Sequence, residues 1–313
     1  MKKKASYESK TPKVYKSPKL NSSNFGDFTH TDYQVYLMLL SKIGGVDKNG
    51  KYLQPEELKR EYTLSAKEFS HMFNMASTNS YTVLKKAVNK LLKTDVTVPE
   101  DGTTSYWRIN VCSQAKYVKD EGKIEIQFTD SIMPYLKQVK ARFMIYNLAE
   151  ISNFKSIYTT RLFELLQEFK ETGWMIKSID ELRHAFAVGN QYRLYGHLKA
   201  RTIVPACEEI NNNYHIKIRF EEIKEGKSVT AIKFIFKPVI VLKSTNETTG
   251  ETKTRFIKHE KKVIDITPSS KLKSTSKKSK QPPKKGTKNG GFFSSVINFF
   301  RKKQALFFNR KKE

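Results

Sequence analysis

The chain has 313 residues, 38% of them hydrophobic, which is enough for two ordinary domains with a core in each. Its formal net charge of +27 predicts a polyanionic partner, either nucleic acid or an acidic membrane surface. Two cysteines, no secretory signal and no apolar run long enough to span a membrane argue against a disulfide-stabilised or membrane-embedded protein and predict a cytoplasmic one.

The positive charge is concentrated at the two ends of the chain. Residues 1–24 hold seven Lys and one Glu, and residues 237–313 hold 21 Lys or Arg against five acidic residues, which leaves +5 for residues 25–236. The ends therefore predict non-specific attraction, while sequence recognition must depend on a few basic residues of a nearly neutral body. We expect residues 1–24 to be a disordered basic arm.

A helix-turn-helix is predicted in the first part of the chain. An apolar-periodic helix over 31–43 is followed by Ser65 and Glu68, which have the spacing of a capping box at the start of a second helix. A polar break at 76–80 precedes a third helix over 81–93, with Val, Leu and Ala on one face and Lys and Asn on the other. The second and third helices therefore predict a helix, a tight turn and a basic helix.

The same pattern returns 114 residues later, since a Tyr-x-x-Leu-Lys motif begins at both 81 and 195. Ser178 and Glu181 have the capping-box spacing again, and a turn at 188–190 leads into a helix over 192–204. Pro205 lacks a backbone N–H, so we expect a kink or a fresh helical turn there.

Each helix-turn-helix is followed by a predicted two-stranded wing, and the second copy is also preceded by a helix over 155–170. Strand-like segments at 106–111 and 123–128 are interpreted as the first wing, and alternating segments at 216–220 and 229–236 as the second. Three helices and a β-hairpin, repeated once, predict an α+β fold of two tandem winged-helix domains.

The two domains are expected at 25–150 and 151–240. Residues 241–290, rich in Lys, Ser and Pro, predict a disordered linker because they hold too few apolar residues to form a core. Residues 291–313 alternate Phe-rich and basic patches. They predict a basic amphipathic segment, with contact to a membrane surface or to a sliding clamp as the alternatives.

The second helix of a helix-turn-helix, the recognition helix, enters the major groove of DNA and reads base edges. Arg193 is expected to pair with guanine and Gln191 or Asn190 with adenine, while wing residues would hold phosphates. The alternative is a solvated surface side chain, and for His197 alone that interpretation is favoured. The candidate DNA-binding residues are Asn190, Gln191, Tyr192, Arg193, His197, Lys199 and Arg201 in the second domain, Arg219, Lys224 and Lys227 in its wing, and Thr78, Asn79, Ser80, Thr82, Lys85 and Lys86 in the first domain.

Enzymatic alternatives fail on residue spacing. The tripeptide Gly-Lys-Ser at 226–228 resembles the end of a phosphate-binding loop, but Glu221 occupies the position of the required glycine. The six histidines lack metal-ligand spacing, and no His-x-His pair accompanies Tyr192 and Tyr195, whose expected role is packing against the wing. We therefore expect a non-enzymatic protein without a metal or cofactor.

Three segments of the second domain carry a resemblance to a known family: FKSIYTTRLFELL at 154–166, IDEL at 179–182 and VPACEEIN at 204–211. With them, the chain resembles the iteron-binding plasmid replication initiators of the Rep_3 type over about residues 25–237. The resemblance implies two winged-helix domains in pseudo-two-fold symmetry. The second would grip one end of an origin repeat, and the first would read the other end or form a dimer interface.

The same resemblance implies how the protein would act. Monomers of such initiators open the origin at direct repeats, called iterons, and dimers repress the initiator's own promoter. A host replication initiator and the replicative helicase are the usual partners. A winged-helix transcription regulator at an inverted repeat and a nicking rolling-circle initiator stay open as alternatives, and the resemblance assigns no role to the long C-terminal extension.

Overall fold

The computed structural model describes residues 12–43, 58–100, 103–136, 144–213 and 217–236, and the backbone alone of 240–245 and 252–257. Residues up to Pro238 belong to one compact unit, and the residues after it belong to a second. The first unit contains both helix-turn-helix segments.

The described part of the N-terminal arm is ordered, so the prediction of disorder over 1–24 is wrong for residues 12–24. Strand β1 (Lys13–Lys16) leads into helix α1 (Pro18–Ser22), whose N-cap Ser17 accepts a hydrogen bond from the Leu20 amide at 3.2 Å. The side chains of Val14, Lys16 and Leu20 are fully buried. Counting charge assigned Lys16 to a solvated tail, whereas its ammonium group is paired inside the protein.

Three helices, a three-stranded sheet and a separate hairpin form most of the first domain. Its further elements are α2 (His30–Ile43), β2 (Glu61–Ser65), α3 (Ala66–Phe73), α4 (Ser77–Lys93), β3 (Asp95–Pro99), β4 (Tyr106–Asn110), β5 (Cys112–Val118), β6 (Lys123–Phe128), α5 (Met133–Leu136) and β7 (Met144–Asn147). The three-stranded sheet is antiparallel with the order β2-β6-β5, and β1 pairs with β7.

The first helix-turn-helix, α3 and α4, begins with the predicted capping box. The Glu68 amide donates to Ser65 Oγ at 3.2 Å, and the Ser65 amide donates to the Glu68 carboxylate at 2.8 Å. Helix α3 ends at Asn74, whose left-handed backbone, with φ 48°, turns the chain at once. The recognition helix α4 therefore starts at Ser77, and most of the predicted polar break at 76–80 is its first turn.

The wing of the first domain consists of β5 and β6, so the prediction that 106–111 is its first arm is wrong. That segment forms β4, which pairs with β3, with Tyr106 opposite Pro99 and Asn110 opposite Asp95. Strand β5 has little alternation in burial, since all six residues after Cys112 are half-buried or exposed. Strand β5 therefore lacks the period-two pattern by which an arm of a wing is recognised in a sequence.

The second domain repeats the arrangement of the first. Its elements are α6 (Ile157–Gln167), β8 (Trp174–Ser178), α7 (Ile179–Ala185), α8 (Tyr195–Leu198), a π-helical segment (Lys199–Ile203), α9 (Val204–Asn213), β9 (Ile218–Glu225) and β10 (Ser228–Phe236). The sheet order β8-β10-β9 matches β2-β6-β5, because in both domains the strand before the helix-turn-helix pairs with the second strand of the wing. Two copies of one small fold, as predicted from the sequence repeat, are confirmed.

The second recognition helix begins at Tyr195 rather than at the predicted residue 192. It continues to Asn213 and contains one π-helical segment. The Val204 amide donates to the Lys199 carbonyl, five residues back, at the end of the π-helical segment. Pro205 follows directly and lacks the N–H that a regular turn would need. The predicted fresh helical turn at Pro205 is therefore present as α9.

The second unit contains one described element, an antiparallel hairpin of β11 (Ile240–Thr245) and β12 (Thr252–Ile257). Ile240 lies opposite Ile257, and Thr245 lies opposite Thr252. The prediction of a disordered linker from residue 241 onward is wrong for this hairpin. The predicted amphipathic segment at 291–313 lies outside the described residues.

Fully buried charged side chains join the two domains. Glu164 on α6 accepts hydrogen bonds from Lys16 Nζ at 2.6 Å and from the hydroxyl groups of Tyr33 and Tyr146 at 2.5 and 2.8 Å. Arg161, one turn earlier on α6, donates to the same carboxylate at 2.9 Å and to two backbone carbonyls beside α1 at 2.5 and 2.8 Å. We call Lys16, Arg161 and Glu164 the interdomain ion cluster.

The charges of the interdomain ion cluster depend on one another. Burial lowers the pKa of Lys16 to about 7, although the adjacent Glu164 carboxylate acts to raise it. Burial acts to raise the pKa of Glu164, but Lys16 and Arg161 hold it below its ordinary value. Removing one member would leave a buried charge without its partner, which is far more costly than breaking a surface ion pair. The cluster therefore fixes how α6 lies against the first domain.

Candidate nucleic-acid interface

The turn before the second recognition helix is held by Arg183, a residue that the sequence analysis did not single out. From the last turn of α7, its guanidinium donates to the carbonyl oxygens of Gln191, Tyr192 and Arg193 at 3.2, 2.6 and 2.8 Å. The turn needs such support because Ala187 and Tyr192 both have φ 53°, which residues with a Cβ rarely adopt. The only sequence signal was a basic residue near a helix end, which is also explained by the helix dipole.

Most of the predicted residues of this recognition helix face solvent. Tyr192 and Lys199 are half-buried. The exposed members are Asn190, Gln191, Arg193, His197 and Arg201. The first three lie on the turn that Arg183 holds, and the other two are four residues apart on the helix. The turn and the start of the helix therefore present polar and cationic side chains together, as direct contact with base edges requires.

Contacts between the recognition helix and the wing orient the second domain's surface. Tyr195 donates its hydroxyl hydrogen to Glu222 Oε1 at 2.8 Å, and Lys199 Nζ donates to the same oxygen at 2.8 Å. Lys199 Nζ also lies 5.6 Å from the centroid of the Phe220 ring. These hydrogen bonds hold the pKa of Glu222 below its ordinary value. The expected packing of Tyr195 against the wing is confirmed, and Lys199 is partly engaged within the protein.

Tyr192 supports the turn from the side of the hydrophobic core. Its ring packs against the hydrophobic core and reaches Tyr158. Burial is the main cause that raises the pKa of Tyr158 to about 12, and the neighbouring Tyr192 acts in the same direction. The contribution of Tyr192 to a DNA surface is therefore the shape of the turn, with Gln191 and Arg193 on either side of it exposed.

The wing of the second domain carries exposed cations together with two ion-paired glutamates. Arg219, Lys224 and Lys227 are exposed, as predicted for phosphate contacts. Glu222 is neutralised by Lys199 and lies 3.7 Å from Lys224 Nζ. Glu221 and Lys233 form a further pair at 3.5 Å. Ion pairing thus removes much of the acidic charge that would repel a phosphate backbone.

In the first domain, five of the six predicted residues are exposed on α4: Thr78, Asn79, Thr82, Lys85 and Lys86. Ser80 is the exception, and its predicted role in DNA contact is wrong. Its side chain is fully buried, with Oγ donating to the Ala76 carbonyl at 3.2 Å. The reason is that α4 starts four residues before the predicted boundary, which places position 80 on the helix face that contacts the core.

A tyrosine at the start of the helix also contacts the wing in the first domain. A Cβ added to Gly122, in the turn between β5 and β6, would lie 2.0 Å from the Tyr81 ring. Gly122 has φ 57°, so its position requires glycine for both conformation and space. Tyr81 and Tyr195 thus occupy equivalent places in the two copies, where each ties the recognition helix to its wing.

None of the helices in the described part of the chain is long and apolar enough to cross a membrane. The same residues contain no group of three or more His, Cys, Asp or Glu side chains arranged to hold a metal ion.

Two sequence profiles of one protein family match the chain in tandem. The profile described as "Initiator Replication protein, WH1" matches residues 13–167, and the one described as "Initiator Rep protein, WH2" matches residues 178–236. The chain belongs to this family of replication initiators. Its two winged-helix domains are those of the family. The first match begins at β1, in agreement with the ordered N-terminal residues, and it extends through α6, the helix that contacts elements of both domains.

Individual relatives of this initiator agree with the family. The chain is 24% identical over 226 residues to a replication initiation protein of Escherichia coli, covering 71% of this chain and 68% of the relative. It is 26% identical over 146 residues to the PI protein of Escherichia coli, covering 41% of this chain and 48% of the relative. A crystal structure of the Pi initiator protein in complex with iteron DNA matches with a TM-score of 0.60 at 20% identity, covering 72% of this chain and 97% of that one. The structural match shows the shared fold.

Proposed function

We propose that this initiator starts replication of a plasmid by binding direct repeats at the origin, with each winged-helix domain contacting one part of a repeat. The observation that carries the proposal is that two recognition helices with exposed polar and cationic residues belong to one compact unit. The interdomain ion cluster connects the domains, so their recognition helices act at a fixed separation. The relative whose structure contains iteron DNA supports the choice of a repeated origin sequence.

Within this proposal, the second domain supplies most of the base recognition. Arg193 pairs with guanine, and Gln191 or Asn190 pairs with adenine, each good bidentate contact contributing about 1 to 3 kcal/mol of discrimination. Arg219, Lys224 and Lys227 on the wing hold phosphates, which positions the helix without selecting a sequence. Thr78, Asn79, Thr82, Lys85 and Lys86 make the corresponding contacts in the first domain.

Measuring DNA binding at about 150 mM salt tests the proposal, because non-specific phosphate contacts are weakened there. The full chain should bind the direct repeats of its own plasmid at least 100-fold more tightly than a scrambled duplex of equal length and composition. Arg193→Ala should reduce that ratio by roughly 5- to 150-fold. Equal affinity for both duplexes would contradict the proposal.

A winged-helix transcription regulator acting at an inverted repeat is the second candidate, since exposed recognition helices suit either role. Deletion of the gene separates the two, because a plasmid needs its initiator in order to persist but does not need a regulator. Loss of the plasmid, with rescue by the gene supplied in trans, is the result expected of an initiator. Repression of its own promoter by the dimer is part of the same proposal.

The exposed aromatic pair Tyr106 and Trp107 supports self-association through the first domain. Both lie on β4, which is not part of either recognition helix, and their side chains are 62% and 60% exposed. Large exposed aromatic side chains are enriched at protein interfaces. Sedimentation of the Trp107→Ser variant should show a shift from dimer toward monomer, and an unchanged dimer fraction would place the interface elsewhere.

We also propose that the protein acts by binding, in the bacterial cytosol, and that it passes the opened origin to a host replication initiator and the replicative helicase. Incubation with supercoiled origin DNA and a divalent metal should leave the circles intact. Appearance of nicked circles would favour the rolling-circle alternative instead. Capture of the purified helicase by the full chain on origin DNA tests the second step.

Residues 291–313, which lie outside the described residues, are proposed to contact a membrane surface through their Phe and basic side chains. A sliding-clamp contact through 304–308 is the alternative. The full chain should sediment with anionic liposomes more than a chain ending at residue 290. Equal sedimentation of the two would argue against the membrane contact.

A further inference from the structure

Leu194 is exposed at the point where the second recognition helix begins. It is the N-cap residue of α8, with an extended backbone of φ −77° and ψ 137°, and 66% of its surface is accessible. A single exposed leucine is common on protein surfaces, so exposure alone indicates nothing. Its significance comes from its neighbours and from how it is held.

The backbone around Leu194 is fixed on both sides. Arg183 holds the three preceding carbonyls, ending with that of Arg193 at 2.8 Å, and the following residue, Tyr195, is hydrogen-bonded to Glu222 on the wing. The Cα–Cβ bond of Leu194 therefore has a set direction, between exposed residues proposed to read bases. An apolar group held in that place needs no ordering of the chain when DNA binds.

Gly196 lies two residues further on, and because it has no side chain, the helix backbone beside Leu194 is exposed. A Cβ at this position would meet nothing within 4 Å, and its φ is not in the left-handed region. Neither internal packing nor backbone conformation therefore explains the glycine, which is a poor helix former. A bare backbone on the exposed side of a recognition helix permits close approach of a surface from outside the protein.

The surroundings of Leu194 match the floor of a DNA major groove better than a protein partner. Gln191, Arg193 and His197 are exposed hydrogen-bonding or cationic groups near it. A stable protein interface needs an apolar patch much larger than one leucine. In the major groove, by contrast, the C5-methyl of thymine is the apolar group among the donors and acceptors of the base edges.

We propose that Leu194 contacts a thymine C5-methyl and thereby selects a T·A pair next to the base pair read by Arg193. The proposal rests on the proposed function, because it assumes that α8 lies in the major groove of the repeat. It adds a specificity-determining residue that reads by apolar contact, in a set of candidates that otherwise read by hydrogen bonds.

The test combines a change in the DNA with a change in the protein. A random duplex library is first bound by the full chain at about 150 mM salt, and each thymine of the selected site is then replaced singly by deoxyuridine, which removes only the methyl group. For the wild-type chain, replacement at one or two adjacent positions should weaken binding roughly fourfold each, as expected for exposing one buried methyl. For Leu194→Ala, the same replacements should have no effect.

Two controls make the outcome specific. Leu194→Met keeps an apolar side chain and should retain sensitivity to the missing methyl, while Thr104→Ala, which shortens an exposed side chain away from both recognition helices, should leave that sensitivity unchanged. A selected site in which no thymine methyl matters, or a Leu194→Ala chain that keeps the full sensitivity, overturns the inference while leaving origin binding intact. Failure of the library to yield any preferred sequence would overturn the proposed function as well.

Discussion

The two winged-helix domains share one scaffold but present their recognition helices in different ways. In each, a capping box of Ser and Glu opens the first helix of the helix-turn-helix, and a tyrosine at the start of the second contacts the wing. The connection between the two helices is short in the first domain, residues 74–76, and longer in the second, residues 186–194. The second domain thereby gains an exposed turn that the first domain lacks.

The consequence is clearest at two positions that are equivalent in the repeat. Ser80 and Leu194 each precede the tyrosine that touches the wing. Ser80 lies inside a helix and is fully buried, whereas Leu194 lies outside one and is 66% exposed. The same scaffold can therefore expose a helix face alone or a helix together with its preceding turn, and the length of the turn decides which.

The contact that joins the two domains should give the largest effect when it is removed. Arg161→Met leaves Glu164 with one cation fewer and removes the donor from several buried carbonyls, so we expect the free energy of unfolding to fall by about 3 to 5 kcal/mol. Urea unfolding followed by tryptophan fluorescence measures this change. Arg60→Gln, which breaks an exposed pair with Asp130, is the matched control, with an expected loss under about 1 kcal/mol. Equal losses in the two variants would show that the cluster does not join the domains.

The two wing turns offer a direct comparison, because each contains a glycine with positive φ. Gly122→Ala should cost about 2 to 4 kcal/mol, since the new methyl strains the backbone and collides with the Tyr81 ring. Gly226 has φ 60° but open space around it, so for Gly226→Ala we expect the free energy of unfolding to fall by only about 1 kcal/mol. Thermal unfolding of both variants gives the difference. Similar melting temperatures for the two variants would contradict the predicted collision between the new methyl and the Tyr81 ring.

The longer turn of the second domain depends on Arg183, and its removal should weaken DNA binding more than stability. Arg183→Ala loses the hydrogen bonds to three turn carbonyls, for which we expect specific affinity to fall roughly 10- to 100-fold. Binding to non-specific DNA should stay within about twofold, because that term depends on phosphate contacts. Fluorescence anisotropy with both duplexes measures the ratio, and a parallel loss for both would assign Arg183 a general structural role.

The smallest effect concerns two glutamates, Glu164 on α6 and Glu168, the residue that directly follows this helix. Glu164 is paired, but Glu168 has a buried Oε1 without a hydrogen-bond partner, and burial raises its pKa to about 6. The folded chain then binds more protons than the unfolded chain between pH 4.5 and 6, so Glu168 makes stability decrease as pH rises through that window. The loss should reach at most about 2 kcal/mol. Glu168→Gln should remove this slope from a series of urea titrations, and an unchanged slope would contradict the assignment.

The sequence was sufficient wherever the determining contacts are local. Ser65 with Glu68 and Ser178 with Glu181 are capping boxes three residues apart, and the structure has both as predicted. The wing of the second domain was equally readable, because its strands alternate between buried and solvent-facing residues. Local contacts and regular periodicity were thus enough to predict the duplicated fold.

Contacts between distant residues could not be predicted in the same way. Lys16 was assigned to a solvated tail because nothing near it in sequence indicates Glu164, 148 positions away. The role of Arg183 depends on carbonyl oxygens, which every residue has, so no side-chain pattern reveals it. The start of α4 was misplaced because Thr, Asn and Ser favour turns, yet here they form the first turn of a helix after Asn74 has already reversed the chain.

The position of Lys16 also constrains the order in which the chain can fold during its synthesis. Strand β1 leaves the ribosome early, but its charged partner on α6 is translated only after the whole wing of the first domain. Until α6 is made, Lys16 has no buried carboxylate with which to pair. A hybrid protein that took α6 and the rest of the second domain from another initiator would therefore keep the pairing of Lys16 only with a glutamate in place of Glu164 and an arginine in place of Arg161.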